Sequence, residues 1–150
     1  MRQAIARARE GIAAGQTPFG ACIAKNGKVV ACEHNVVWAT TDITAHAEVH
    51  AIRQACKRLE TVDLSGCVIY STCEPCPMCF SAIHWAKIDR IVFGVGIADA
   101  DALGFSELAV TNQLLKEMGP SPVEVVEGFL RDECMDVFRT WAANPSRKAY

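Results

Sequence analysis

Two short motifs of metal-binding residues constrain this chain most, because both must reach one point in the fold. The first is His-Ala-Glu at residues 46–48, and the second is Cys-Pro-Met-Cys at residues 76–79. Each motif lies at the start of a segment with apolar residues at helical spacing, 49–59 for the first and 77–87 for the second. A fold that joins the motifs must therefore bring the beginnings of two helices together.

His46, Cys76 and Cys79 offer three ligands of the kinds that zinc prefers. Three protein ligands leave the fourth tetrahedral position open, as in catalytic zinc sites. The two cysteines are three residues apart at a helix start, so both thiols face one side, and the positive helix end favours thiolates. A redox pair would leave His46 unexplained, and a four-cysteine structural site would need a second matching pair, which the chain lacks. The residues therefore predict one zinc ion per chain.

Glu48 is the predicted proton carrier beside this metal. His-x-Glu followed by Pro-Cys-x-x-Cys is typical of zinc deaminases that act on nucleobases, in which the glutamate moves protons and is not a ligand. An ideal helix turns about 200° over two residues, so Glu48 and His46 converge only if the histidine lies at a frayed first turn. Thr44 is the predicted N-cap, which places His46 in or next to that turn.

The predicted elements follow the order α β β α β α β (α) β α. Apolar runs at 19–24 and 29–32 flank Asn26-Gly27, a strong hairpin signal, so these strands are predicted to be antiparallel. A helical crossover joins the strands at 67–71 and 91–95, which predicts a parallel pair. We expect one domain over residues 1–150, an α/β protein with a three-layer α/β/α sandwich around a mixed five-stranded sheet. The other predicted elements are helices at 1–14, 112–118 and 130–141, a strand at 123–126, a loop at 34–43, and a loop or short helix at 97–105.

Composition limits the partners and the compartment that we expect. The net charge is −2 with no long run of either sign, so a large nucleic-acid partner is not expected. No secretory signal or membrane-spanning apolar run is visible, which favours a cytoplasmic protein without a membrane partner. In that reducing compartment the eight cysteines are expected to remain thiols.

Two stretches carry a resemblance to a known family. Residues 44–56 (TAHAEVHAIRQAC) and 73–86 (CEPCPMCFSAIHWA) resemble the cytidine-deaminase-like superfamily, and within it the bacterial guanine deaminases and their plant guanosine relatives. The similarity covers nearly the whole chain, including PFGA at 18–21 and a C-terminal tyrosine. It implies a zinc-dependent hydrolase that deaminates a small purine base, with guanine to xanthine and ammonia as the expected reaction.

The resemblance also implies substrate contacts outside the metal motifs. It places Asn35 in hydrogen-bonding contact with the purine, Phe19 stacked near the base, and Trp85 beside the substrate. Ala47, a small residue that leaves room beside the histidine, is also predicted to line the substrate site. Alternatively, Asn35 only turns its loop, and Phe19 and Trp85 belong to the core.

Two further expectations concern the second half of the chain. Glu107 stands where the resembling bacterial enzymes usually have an aspartate that acts as a second proton shuttle. Tyr150 corresponds to a C-terminal aromatic residue that reaches the active site, and the resemblance implies a homodimer in which that tail is exchanged between subunits. Alternatively, Glu107 is a solvated surface carboxylate and Tyr150 is a disordered terminal residue.

One stretch favours a different substrate. Residues 125–134 (VVEGFLRDEC) resemble the C-terminal helix region of bacterial tRNA adenosine deaminases. Against a tRNA substrate stand the acidic balance, CEPC where those enzymes usually have LEPC, and Trp85. Cytosine, a nucleoside or an aminotriazine remain as other substrates, and a zinc-binding fold without activity would require Glu48 to be idle.

Overall fold

A mixed sheet of five strands lies at the centre of the structure, a computed structural model that describes residues 1–150. The strands are β1 (Gly20–Lys25), β2 (Lys28–His34), β3 (Cys67–Cys73), β4 (Arg90–Val95) and β5 (Glu124–Val126). They are arranged in the order β2-β1-β3-β4-β5. β1 is antiparallel to β2 and β3, whereas β3, β4 and β5 are parallel. The predicted hairpin and parallel crossover are both confirmed.

Helices cover both faces of this sheet. They are α1 (Arg2–Ala13), α2 (Val37–Thr40), α3 (Ala47–Leu59), α4 (Pro77–Trp85), α5 (Ile97–Asp101), α6 (Asn112–Met118) and α7 (Arg131–Ala142). α1 and α7 pack together on the sheet, while α3 packs against α4 and against the strands β1 and β2. The predicted three-layer α/β/α sandwich is therefore confirmed. The short helix α2 was not predicted and lies within the expected loop at 34–43.

One hydrophobic core joins the elements. It contains 27 buried residues and extends from Ile5 in α1 to Trp141 in α7. At the hairpin turn, Asn26 and Gly27 both have positive φ angles, of 51° and 73°, as a tight turn between twisted strands requires. None of the helices combines the length and the apolar character needed to cross a bilayer.

The two motifs lie at the starts of α3 and α4. His46 is the N-cap residue of α3, and Cys76 is the N-cap residue of α4 with Pro77 at the first helical position. The prediction that Thr44 caps α3 is wrong. Both the backbone N–H and the hydroxyl of Thr44 donate to Asp42 Oδ1, at 2.8 and 2.6 Å, so Thr44 belongs to a turn that precedes the helix.

Two of the eight cysteines face each other across the first hairpin. Cys22 in β1 and Cys32 in β2 are direct partners in the antiparallel register, with Cα atoms 4.0 Å apart. Strand register decides which residues face each other, and composition does not reveal it. The other six cysteines are free, including both cysteines of the metal motif.

Candidate active site

The three predicted metal ligands converge at one point. The candidate ligand atoms of His46, Cys76 and Cys79 all lie within 4.8 Å of one another. His46 Nδ1 is 3.6 Å from each of the two sulfur atoms. Zinc bonds of about 2.3 Å to sulfur and 2.0 Å to nitrogen, at tetrahedral angles, separate those donors by roughly 3.5 Å. The spacing and chemistry of the donor set therefore fit a zinc ion with one position left for another ligand.

The electrostatic environment favours a thiolate in this cluster. Cys76 lies at the positive end of α4. A hydrogen bond from the Cys79 thiol lowers the pKa of Cys76 to about 4, and a hydrogen bond with His46 acts in the same direction. Cys79 has a raised pKa because it donates to Cys76 and because it is buried. The cysteine pair can therefore lose a proton when a metal cation binds.

Glu48 lies beside the cluster, as the motif predicted. Its side chain is only 4 % exposed, and burial raises its pKa. Glu48 Oε1 accepts a hydrogen bond from Ser71 Oγ at 2.8 Å, and Oε2 lies 3.5 Å from Cys79 Sγ. The carboxylate reaches the metal ligands because His46 precedes the regular helix, with an extended ψ of 156°, while Glu48 lies in the first turn.

A pocket opens beside the cluster. Its volume is about 290 Å³, and its lining consists of Ile43, His46, Cys76, Pro77, Met78, Ser106, Glu107, Leu108 and Tyr150. Glu107 is half-buried there, and burial together with the negative charge of Cys76 raises its pKa. Ala47, which was predicted to line the substrate site, is fully buried as the first residue of α3. The structure thus brings Glu107 and Tyr150 together with the metal ligands.

Asn35 and Tyr150 are bonded to each other. Asn35 is fully buried, and its Nδ2 donates to the Tyr150 hydroxyl at 2.6 Å. Asn35 Oδ1 accepts the backbone N–H of Val37 at 3.1 Å, which fixes the orientation of the amide. The Tyr150 ring lies 5.6 Å from the His46 ring, between centroids. The last residue of the tail therefore lies next to the metal ligands.

Phe19 and Trp85 do not line this pocket. Phe19 packs edge-to-face against Phe105 and Phe138, at centroid distances of 4.9 and 5.4 Å, in the hydrophobic core. Trp85 is 82 % exposed and lines a separate groove of about 550 Å³, which contains none of the metal ligands. Trp85 follows Cys79 by six residues, and six helical residues rotate a side chain by about 240°, so Trp85 points away from the metal cluster.

Sequence reasoning missed three residues that position the site. Ser71 in β3 donates to Glu48, and Trp38 in α2 contacts the C-terminal tail. Glu74 is buried, with Oε1 accepting the Asn112 N–H at 2.7 Å and Oε2 accepting the Ile97 N–H at 3.2 Å. Glu74 therefore holds both ends of the segment 97–112, which carries Glu107. In the sequence, only the position of Glu74 next to the cysteine motif could have indicated this role.

His46, Cys76 and Cys79 could hold a metal ion, and a buried carboxylate lies beside them. On an α/β/α sandwich, this arrangement is typical of zinc-dependent enzymes that remove an amino group from a base by hydrolysis. The chain belongs to the cytidine and deoxycytidylate deaminase family, whose zinc-binding region matches residues 1–95.

Individual relatives point to two kinds of substrate. The chain is 36% identical to the guanine deaminase of Bacillus subtilis (strain 168), over all of this chain and 96% of that protein. It is 37% identical to the tRNA-specific adenosine deaminase of the same organism, over 89% of this chain and 81% of that protein. The structure of a guanine deaminase from Nitrosomonas europaea superposes with a TM-score of 0.87 at 29% identity, covering 94% of this chain and 81% of that chain. These similarities establish the deaminase and leave its substrate open.

Proposed function

We propose that this protein deaminates free guanine to xanthine and ammonia. The observation that carries the proposal is the small pocket beside the metal ligands, which Tyr150 lines. Tyr150, bonded to the buried Asn35, lies across a cavity of about 290 Å³, which is at the small end of the range for ligand sites. A free base suits this space, whereas an anticodon loop requires room for splayed bases and for contacts to phosphates.

The chemistry follows from the positions of the protein groups. His46, Cys76 and Cys79 would hold a zinc ion, which would lower the pKa of a water molecule towards neutrality. Glu48 would carry one proton of that water to a ring nitrogen and, once the water oxygen has bonded to the carbon, the second proton of that oxygen to the leaving amine. The water oxygen ends on the carbon that carried the amino group, and ammonia leaves. Burial raises the pKa of Glu48 and so brings it closer to the pH at which it must both accept and release a proton.

The proposed substrate contacts lie around the metal cluster. The buried Asn35 amide has two N–H groups, one of which donates to Tyr150, and the second is the proposed donor to the purine. Glu107 has a raised pKa and serves as the second proton carrier. Ala47 lies between His46 and Glu48 and leaves space beside them. Direct contacts of Phe19 and Trp85 with the base remain predictions from resemblance.

Two structural expectations remain part of the proposal. The single core from α1 to α7 supports one deaminase domain over residues 1–150. The homodimer with exchanged tails stays a prediction, because Tyr150 already reaches the pocket of its own chain. Light scattering of the purified protein measures its mass in solution, and a mass of one chain would contradict the dimer.

Adenosine in tRNA is the second candidate substrate. It is favoured by the 37% identity to the Bacillus subtilis tRNA-specific adenosine deaminase, which is close to the value for the guanine deaminase. The chain's net charge of −2 opposes it, because RNA binding depends on cationic side chains that neutralise phosphates.

An ammonia-release panel separates these substrates. The zinc-loaded protein is incubated with guanine, guanosine, adenine, cytosine and an anticodon stem-loop RNA, and Glu48→Gln protein measures the background. We expect guanine to give the highest kcat/KM. Turnover of the RNA without turnover of guanine would replace the proposed function with tRNA deamination.

A further inference from the structure

We propose that Trp38 is a positioning residue that holds the C-terminal tail over the pocket. The inference rests on the proposed function only for its kinetic consequence, because the contact between Trp38 and the tail exists whatever the substrate is. Trp38 lies in α2 and does not line the pocket itself. It acts through Tyr150, which does.

Three contacts join Trp38 to the last residues of the chain. The indole Nε1 donates to the backbone carbonyl of Lys148 at 3.2 Å. The indole ring packs edge-to-face with the Tyr150 ring, with centroids 6.2 Å apart, and Lys148 Nζ lies 5.9 Å from the indole centroid. One side chain thus contacts both the final residue and the residue two before it.

The backbone of Trp38 is held by a buried side chain. The buried Gln16 accepts the backbone N–H groups of Trp38 and Ala39 through Oε1, at 3.2 and 3.4 Å. The N–H of Val37 is bonded to Asn35 Oδ1. The short helix α2 is therefore anchored to the same asparagine that Tyr150 contacts. Asn35 and Trp38 hold the tail at two neighbouring points of one rigid element.

The tail has little else to keep it in place. Residues 145–149 are exposed, and apart from the contacts above the tail's other contacts are the Tyr150 ring with the Phe105 ring, centroids 6.3 Å apart, and Arg147 near the Trp141 ring, at 5.9 Å. Losing the indole N–H bond and the aromatic pair should lower the ratio of closed to open tail about tenfold.

Digestion with carboxypeptidase A tests the contact directly, since that enzyme releases C-terminal aromatic residues. We expect Trp38→Ala to speed the release of Tyr150 about tenfold, and Trp38→Phe, which keeps a ring but loses the N–H, to lie between Trp38→Ala and the natural protein. Phe129→Ala is the matched control, because Phe129 is 46 % exposed, close to the 42 % of Trp38, and lies outside the pocket. Unchanged release of Tyr150 in a folded Trp38→Ala protein overturns the proposal.

A double-mutant cycle tests whether Trp38 acts through the tail. Trp38→Ala should raise KM for the substrate identified by the ammonia panel about tenfold while leaving kcat within about twofold. In a Tyr150→Ala background the same change should have no further effect. Additive effects in the double mutant would overturn the positioning role. An inactive natural protein would contradict the proposed function instead, and the digestion result would still stand.

Discussion

The metal end of the site and its substrate rim are built in different ways. The metal end is buried and belongs to regular elements, because His46, Cys76 and Cys79 lie in the first turns or caps of α3 and α4 and Glu48 is bonded to a strand residue. The rim consists of the segment 102–111, which has no helix or strand, and of the exposed tail. The comparison indicates that packed regular elements hold the metal ligands, whereas segments without helix or strand line the opening of the pocket.

Removing a metal ligand would break the metal end completely. Cys79→Ala should abolish zinc binding and reduce ammonia release below detection, because two remaining ligands no longer form a catalytic zinc site. Zinc per chain is measured by mass spectrometry on the purified protein. Cys56→Ala removes a free cysteine of α3 that lies outside the cluster and should keep about one zinc per chain. Full zinc content in Cys79→Ala would show that the cluster is not the metal site.

Glu48→Gln separates metal binding from proton transfer. The amide cannot accept the proton, so kcat should fall by about 10²- to 10⁴-fold while the zinc content stays unchanged. Steady-state ammonia release and zinc analysis of the same preparation measure both quantities. Glu60→Gln, at the exposed end of the same helix, is the control and should turn over normally. Retained turnover in Glu48→Gln would remove Glu48 from the mechanism.

Ser71→Ala tests how much the hydrogen bond from Ser71 to Glu48 contributes to catalysis. The substitution removes a hydrogen bond to a buried carboxylate, and bonds to charged groups contribute about 1.5–3 kcal/mol, so kcat should fall roughly 10- to 100-fold. The pH profile of kcat should also move to higher pH, because that hydrogen bond lowers the pKa of Glu48. Ser81→Ala, which loses only an exposed bond to the Pro77 carbonyl, is the matched control. Equal effects of both substitutions would contradict the positioning role of Ser71.

Tyr150→Phe gives the smallest expected effect and tests the rim. It keeps the ring and removes the hydroxyl that accepts from Asn35, a bond of about 1 kcal/mol, so KM for guanine should rise about fivefold with little change in kcat. Tyr70→Phe alters the other tyrosine, which lies in β3 outside the pocket, and should leave KM unchanged. A large fall in kcat with an unchanged KM would mean that the rim takes part in the chemistry.

The two ends of the site also differ in how far the sequence predicts them. The metal end follows from short spacings, since three residues around a helix start bring Cys76 and Cys79 together whatever the rest of the fold does. Asn26-Gly27 and the helical crossover likewise specify the hairpin and the parallel strand pair from local signals. These features depend on neighbours in the chain, so periodicity and turn chemistry are sufficient to find them.

Contacts between distant segments were not predictable in the same way. Ser71 meets Glu48, and Cys22 meets Cys32, only because of strand register and helix placement. The loop composition around Trp38 gave no sign of α2 or of its contact with Lys148. The position of Trp85 after the motif did not show that its side chain lies in a separate groove. Each of these residues depends on the three-dimensional arrangement of segments far apart in sequence.

Glu74 connects the metal end of the site to its rim. Its two carboxylate oxygens accept hydrogen bonds from the N–H groups of Ile97 and Asn112, so one side chain fixes both ends of the segment between them. Glu74 itself is anchored next to Cys73 at the end of β3, two residues before Cys76. The strand end that leads into the metal ligands therefore also sets the position of the segment that carries Glu107.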